Sequence, residues 1–287
     1  MSPLGWLLVL AAWLAAWAAN VWLARVPIPA GWPARARDLA VPALFGLTLL
    51  FLWQMIVRGL SVPAVLLPAP TDIGVKLAAS LPTLWADFVQ TVIRAVIPGW
   101  LIGNIAGFLT AILCDRVTLL KRGLLPLGNL VAALPIVGVA PIMVMWFGFD
   151  WQSKAAVVVI MTFFPMLVNA LAGLETAGQL ERDLMRSYGA GPLQTLMKLR
   201  LPAALPFIFN ALKINSTLAM IGAIVAEFFG TPIVGMGFRI STEVGRLALD
   251  MVWAEIAMAA LVGSAFYGLI SVIERWVTFW HPSFRAR

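Results

Sequence analysis

"DLMRSYGAGPLQTLMKLRLP", Asp183–Pro202, decides how the rest of this sequence is read. The apolar run AAVVVIMTFFPMLVNALAGL, Ala155–Leu174, precedes it, and AALPFIFNALKINSTLAMIGAIVAEFF, Ala203–Phe229, follows. Each flank is long enough to cross a bilayer, which takes about 20 apolar residues. The polar, basic segment between them therefore belongs outside the lipid. DLMRSY spans two helical turns, with Asp183 at the start, where a carboxylate suits the helix dipole. Gly189 and Gly191 permit left-handed backbone, and Pro192 opens a second helix. In PLQTLMKLR and the leucine after it, Leu193, Leu196, Met197 and Leu201 recur on one face, with Lys198 and Arg200 elsewhere. Pro202 marks the entry into the next span. The expected product is a rigid helix–corner–helix. On pattern alone two readings stand: an amphipathic loop lying on lipid headgroups, or a handle gripped by another protein.

Working outward, 62% of the 287 residues are hydrophobic and 11% are charged. Soluble domains carry about 45–50% apolar and about 25% charged residues. Lipid must therefore solvate most of the chain. One cysteine, Cys114, gives no disulfide framework, and with one histidine, His281, no metal set or Ser-His-Asp site is expected. No catalytic residue is assigned. The chain holds no G-x-x-x-x-G-K-[ST] loop, so it has no phosphate cradle for ATP.

Seven apolar runs are long enough to span, near residues 4–24, 39–57, 88–113, 123–148, 155–174, 203–229 and 252–273. Alternate connecting segments hold 13 of the 20 Lys/Arg, and the opposite ones hold five. Lys/Arg-rich short loops stay cytoplasmic. The N-terminus is then outside and the C-terminus inside, with Asp183–Pro202 cytoplasmic. The inner segments also hold six acids, so they carry a net +7, the whole charge of the protein. Topology accounts for the charge, and no nucleic acid is required. The first run lacks a positive n-region, its first basic residue being Arg25, and reads as a retained span rather than a signal peptide. Trp32, Trp85, Trp151, Trp253, Trp276 and Trp280 fall near span ends, where indole meets both water and lipid.

Run 123–148 contains Pro126, Pro135 and Pro141. It reads either as a bent, moving helix beside a pathway or as a static kinked one. The outer loop 230–250 has a Gly-rich start and an amphipathic middle, predicting a short surface helix. Four ionisable residues lie in or just within spans. Lys213 is roughly 15 Å deep. It either lines a pathway with Asn210, Asn215, Ser216 and Thr217, or snorkels and bonds between helices. Arg94, Glu227 and Glu255 all lie in the outer third. The expectation is that Arg94 pairs with one of the two carboxylates, locking helices or forming an outer gate.

The central stretch resembles the cytoplasmic signature of permease subunits in binding-protein-dependent ABC importers: Glu-Ala-Ala, three residues, Gly, nine residues, Ile, one residue, Leu-Pro. Asp183 stands at the Glu position, and Leu184 and Met185 replace the alanines. Gly189 matches, Leu199 stands for Ile, and Leu201-Pro202 complete it. LLPAPTDI (Leu66–Ile73), PIVGVAPIMVMWFGFD (Pro135–Asp150) and IVAEFFGTPIVGMGF (Ile224–Phe238) resemble segments of the nitrate/sulfonate/taurine subgroup. The C-terminal ERWVTFWHPSFR (Glu274–Arg285) is faintly similar to permeases assigned to vitamin or pyrimidine precursors.

The resemblance implies an all-α polytopic type I permease fold: a six-span core with one extra N-terminal helix. Residues 1–38 are then an added helix and cytoplasmic linker. Residues 39–287 are the permease domain, with a coupling segment at 175–202. Asp183, Gly189, Leu193, Leu196, Met197, Leu201 and Pro202 would couple it to the ATPase. The implied partners are a second permease subunit, most simply a second copy, and two ATPase subunits carrying ATP and magnesium. A periplasmic or lipid-anchored solute-binding protein and membrane lipid complete the set. The localisation implied is the bacterial inner membrane.

Three rivals stand beside it. A secondary transporter needs an ion relay near the midplane and usually repeated halves. A membrane enzyme needs a convergent nucleophile, metal or cofactor site. A structural membrane partner needs neither.

Overall fold

The computed structural model describes residues 3–25, 34–132, 134–230 and 233–280. Residues 26–33 of the expected linker, with Trp32, lie outside the described residues, as do Thr231-Pro232 and the final His281–Arg287. Every regular element among the described residues is helical. Six helical stretches are long and apolar enough to cross a membrane: Gly5–Arg25, Leu39–Gly59, Leu81–Arg116, Trp151–Glu175, Pro192–Glu227 and Leu249–Val277.

The seventh expected span, 123–148, is not one helix. It is divided between α6 (Thr118–Ala132) and α7 (Ile136–Phe147), of 15 and 12 residues. At 1.5 Å per residue neither reaches the ~30 Å of a bilayer core. The break falls at Pro135, whose extended ψ of 118° makes it the N-cap of α7. Pro126 and Pro141 are tolerated inside their helices.

The chain divides into two compact units. The first comprises residues 1–81 and 243–254. In it α1 (Pro3–Arg25) packs along α2 (Ala34–Gly59), and both expose most of their large apolar side chains, as helices solvated by lipid do. The chain then turns at Ser61, whose φ is 54°, towards α3 (Pro70–Ala79). That turn is pinned by Arg58–Asp72 at 2.5 Å and by Gln54, which accepts from the Thr71 backbone N–H at 3.2 Å. Lys76 reaches Asp250 at 3.1 Å, and Trp53 meets Trp253 edge-on at 4.9 Å.

The second unit comprises residues 82–242 and 255–287. It holds α4 (Leu81–Phe88, from Pro82), α5 (Ile97–Arg116), α6, α7, α8 (Trp151–Glu175), α9 (Gln179–Ser187), α10 (Pro192–Thr195), α11 (Leu201–Glu227) and most of α12 (Met236–Gly245) and α13 (Leu249–Val277). α8 is central and packs along both α5 and α11. The α5 contact rests on Gly99, Gly103 and Gly107, one turn apart. A β-carbon at Gly103 would come within 2.0 Å of Thr162 Oγ1, and one at Gly107 within 2.4 Å of the Phe163 carbonyl. Small residues at four-residue spacing let membrane helices approach this closely. A buried amide fixes the register: Asn215 donates to Asn104 Oδ1 at 2.6 Å and to the Thr162 carbonyl at 2.8 Å.

Two π-helical turns interrupt this unit, Val89–Val96 and Leu196–Arg200. Each ends on a bond to the carbonyl five residues back, Ile97 to Val92 and Leu201 to Leu196. Each is followed by a proline in the next helix's first turn, Pro98 or Pro202. A proline has no N–H, and the wider turn re-routes the carbonyls it leaves without a donor.

Candidate functional site

The segment Asp183–Pro202 forms a helical corner. α9 begins at Gln179, four residues earlier than expected, behind Gly178, over which the Glu181 side chain folds. Glu181, not Asp183, is therefore the acid of the first turn; Asp183 sits one turn on and pairs with Arg186 at 3.4 Å. The helix closes on Gly189 with φ of 73°. The Ala190 N–H bonds the Met185 carbonyl at 3.0 Å, and the Gly189 N–H bonds that of Arg186 at 2.9 Å. This is the paired Schellman closure that a left-handed glycine permits. Gly191 is extended, Pro192 starts α10, and helical backbone then runs without interruption to Glu227. Pro202 sits in the first turn of α11, where the π-helical turn joins that continuous helix.

The apolar face divides. Leu196 is 9% exposed and packs with Leu174 and Ala204, so it belongs to the permease interior and not, as expected, to an outward docking face. Leu193 and Met197 are 65% and 57% exposed. Leu180, Leu184 and Tyr188 on α9 are also exposed, at 82%, 56% and 81%. Their four-residue spacing is present in the sequence, masked by the charged residues between them. Leu201 and Pro202 are half-buried.

Arg200 ties this corner to the bundle. Its guanidinium holds Asp115 at the end of α5 through two bonds of 2.5 and 2.6 Å. It also donates to the Leu174 carbonyl near the end of α8 at 3.0 and 3.1 Å. Asp115 lies 85 residues away in sequence, so this pairing leaves no local signal around Arg200.

The pathway candidates on α11 do not share a face. Asn215 and Ser216 are fully buried between helices. Asn210 and Thr217 lie on the exposed side with Ile214 and Ile221, and Asn210 donates to Asn169 at 3.3 Å. Lys213 is ion-paired with Glu274 of α13 at 2.7 Å. An apolar cavity of about 160 Å³ lies beside the α6–α7 break, walled by Ile136, Met161, Phe164 and Leu218 among others.

The charge cluster around Glu227 and Glu255 differs from expectation. Arg94 pairs with neither Glu227 nor Glu255; it is exposed and donates to Gln90 at 3.2 Å. Glu227 instead accepts from Thr91 at 2.8 Å and from the Gly237 N–H at 2.7 Å. The arginine that matters is Arg239 on α12, which pairs with buried Asp87 at 2.9 Å. Asp87 also accepts from the Gly235 N–H at 2.7 Å, and Glu255 is buried beside Asp87 and Arg239. Lys154, read from sequence as an outer-loop charge, is buried. It donates to the Phe149 carbonyl at 2.6 Å and to that of Gly230, clipping two loops together.

Six stretches of membrane length among the described residues, joined by buried polar contacts between helices, define the class as a multi-pass helical membrane protein. Residues 103–279 match the family described as "Binding-protein-dependent transport system inner membrane component". The chain is 30% identical to a probable ABC transporter permease protein of Haemophilus influenzae, over 80% of this chain and 93% of that one. It is 29% identical to the formylaminopyrimidine transport permease protein ThiX of Halalkalibacterium halodurans, over 86% and 98%. It is 27% identical to the taurine transport system permease protein TauC of Escherichia coli, over 87% and 92%. The chain belongs to this family: it is the non-catalytic permease subunit of a binding-protein-dependent ABC importer for a small solute, a multi-pass inner-membrane protein of the sulfonate/taurine-like group. Membership implies an ATPase and a binding protein as partners, with ATP bound on the ATPase.

Proposed function

We propose that the exposed corner of α9 and α10 is the cytoplasmic handle through which the ATPase drives this permease. The observation that carries the reading is the outward cluster of Leu180, Leu184, Tyr188, Leu193 and Met197 around the rigid Gly189 turn. Apolar side chains projecting from a polar, basic segment outside the lipid suit a protein cleft. Asp183, Gly189, Leu193, Met197, Leu201 and Pro202 make up the coupling segment within 175–202, and Leu196 anchors it from behind. The importer is two copies of this permease, two ATPase subunits with ATP and magnesium, and a periplasmic or lipid-anchored binding protein.

In this reading the N-terminus is outside and the C-terminus cytoplasmic. α6 and α7 together make a broken seventh crossing, and α1 within residues 1–38 is added to a six-crossing core in 39–287. Asn210 and Thr217 face the solute. From Ile97 to Cys114, Ala155 to Leu174 and Leu201 to Ala226 the one charged side chain is Lys213, already committed to Glu274. That supports a neutral or zwitterionic cargo, such as a pyrimidine precursor or a taurine-like sulfonate, over a nitrate-like anion. Reconstitution with the ATPase and binding protein should give uptake that requires ATP and the binding protein. Uptake by the permease alone, driven by an ion gradient, would make it a secondary transporter.

A further inference from the structure

We propose that Arg200 is the positioning residue that converts movement of the α9–α10 corner into movement of the bundle. This rests on the reading of that corner as the ATPase handle. Three observations converge on the side chain. It ends the π-helical turn Leu196–Arg200, the joint between the exposed corner and α11. It forks onto Asp115 and at the same time donates to the Leu174 carbonyl, so one planar group holds the inner ends of α5 and α8. The pair is 14% exposed on either side, largely shielded from water.

The placement of Asp115 is itself informative. A carboxylate in the last turn of a helix opposes the helix dipole, and Asp115 is the penultimate residue of α5. The Leu174 carbonyl is one of the end-of-helix acceptors that α8 leaves without an internal donor. Arg200 answers both needs. A planar five-donor fork does this in one geometry; a lysine ammonium keeps the charge but cannot hold both partners in the same directions. Leu196, one turn earlier, packs on Leu174 from the same joint. The corner therefore cannot tilt without drawing on α5 and α8, which pack together along the glycine stripe.

The test uses the complete importer in lipid nanodiscs, with R200K, D115N and the reciprocal R200D/D115R. ATP hydrolysis is measured with and without solute-loaded binding protein, and cross-linking of the corner to the ATPase is followed through Met197→Cys. In R200K and D115N, basal hydrolysis and the cross-link should persist while stimulation by the binding protein falls about five-fold or more. R200D/D115R should recover part of it. Should D115N fail to assemble, R200K decides, because it keeps the charge and loses the fork. Unchanged stimulation in R200K, or a loss that only follows reduced assembly, overturns the proposal. Absence of the cross-link in the unsubstituted background would instead refute the handle reading beneath it.

Discussion

Gly235 lies so close to Glu227 that a β-carbon on it would sit 2.7 Å from a carboxylate oxygen. Gly237 is tighter still, its β-carbon 2.1 Å from the Ile224 carbonyl, while its N–H donates to the same carboxylate. The Gly-x-Gly that follows Ala226-Glu227 is thus a loop folded onto a buried acid. Gly237→Ala should cost about 1–3 kcal/mol and lower the melting temperature of the purified permease. Gly46→Ala, whose added methyl meets nothing within 4 Å, should not.

Gly189 makes a different demand. Space around it is open, but its φ of 73° costs a side-chain-bearing residue about 1–2 kcal/mol. Asn, which tolerates that region, should support assembly and transport at Gly189, whereas Val should impair both. Equal activity of the two variants would show that the turn geometry is unimportant.

Leu193 and Leu196 should separate by readout. Leu193→Ser is expected to weaken co-purification with the ATPase and leave permease stability unchanged. Leu196→Ala should lower permease stability by about 2–5 kcal/mol, the range for buried leucine truncation.

At the Glu227–Glu255 cluster, reversing Arg94 should not be rescued by reversing either acid, because Arg94 touches neither. Arg239→Asp should impair assembly, and Asp87→Arg in the same chain should restore part of it, as assayed by yield of folded complex.

For the deep pair, Lys213→Met leaves Glu274 buried without its partner, a loss of about 3–5 kcal/mol. Removing both charges with Lys213→Met and Glu274→Gln should be milder than the single change, compared by thermal unfolding.

What the sequence disclosed follows from what is local. Gly189, Pro192 and the polar run located the corner, and the lengths of the apolar runs located six helices long enough to cross a membrane. Pro135 broke the seventh because a break depends on backbone partners, which a count of prolines does not reveal. Position along the spans set Arg94 level with Glu227 and Glu255, but pairing depends on rotation about the helix. In an unbroken α-helix Arg94 would fall two turns after Asp87 on one face; the π-helical turn Val89–Val96 shifts that register. Arg200–Asp115 and Arg239–Asp87 join residues 85 and 152 apart, beyond any periodicity.

The central claim is tested most directly by a single cysteine at Met197, in a Cys114→Ala background, within the complete importer in membrane vesicles. The account predicts that it cross-links to the ATPase subunit and is shielded from a membrane-impermeant thiol reagent added outside. Labelling from the outer face, or no cross-link in a complex that hydrolyses ATP, would contradict it.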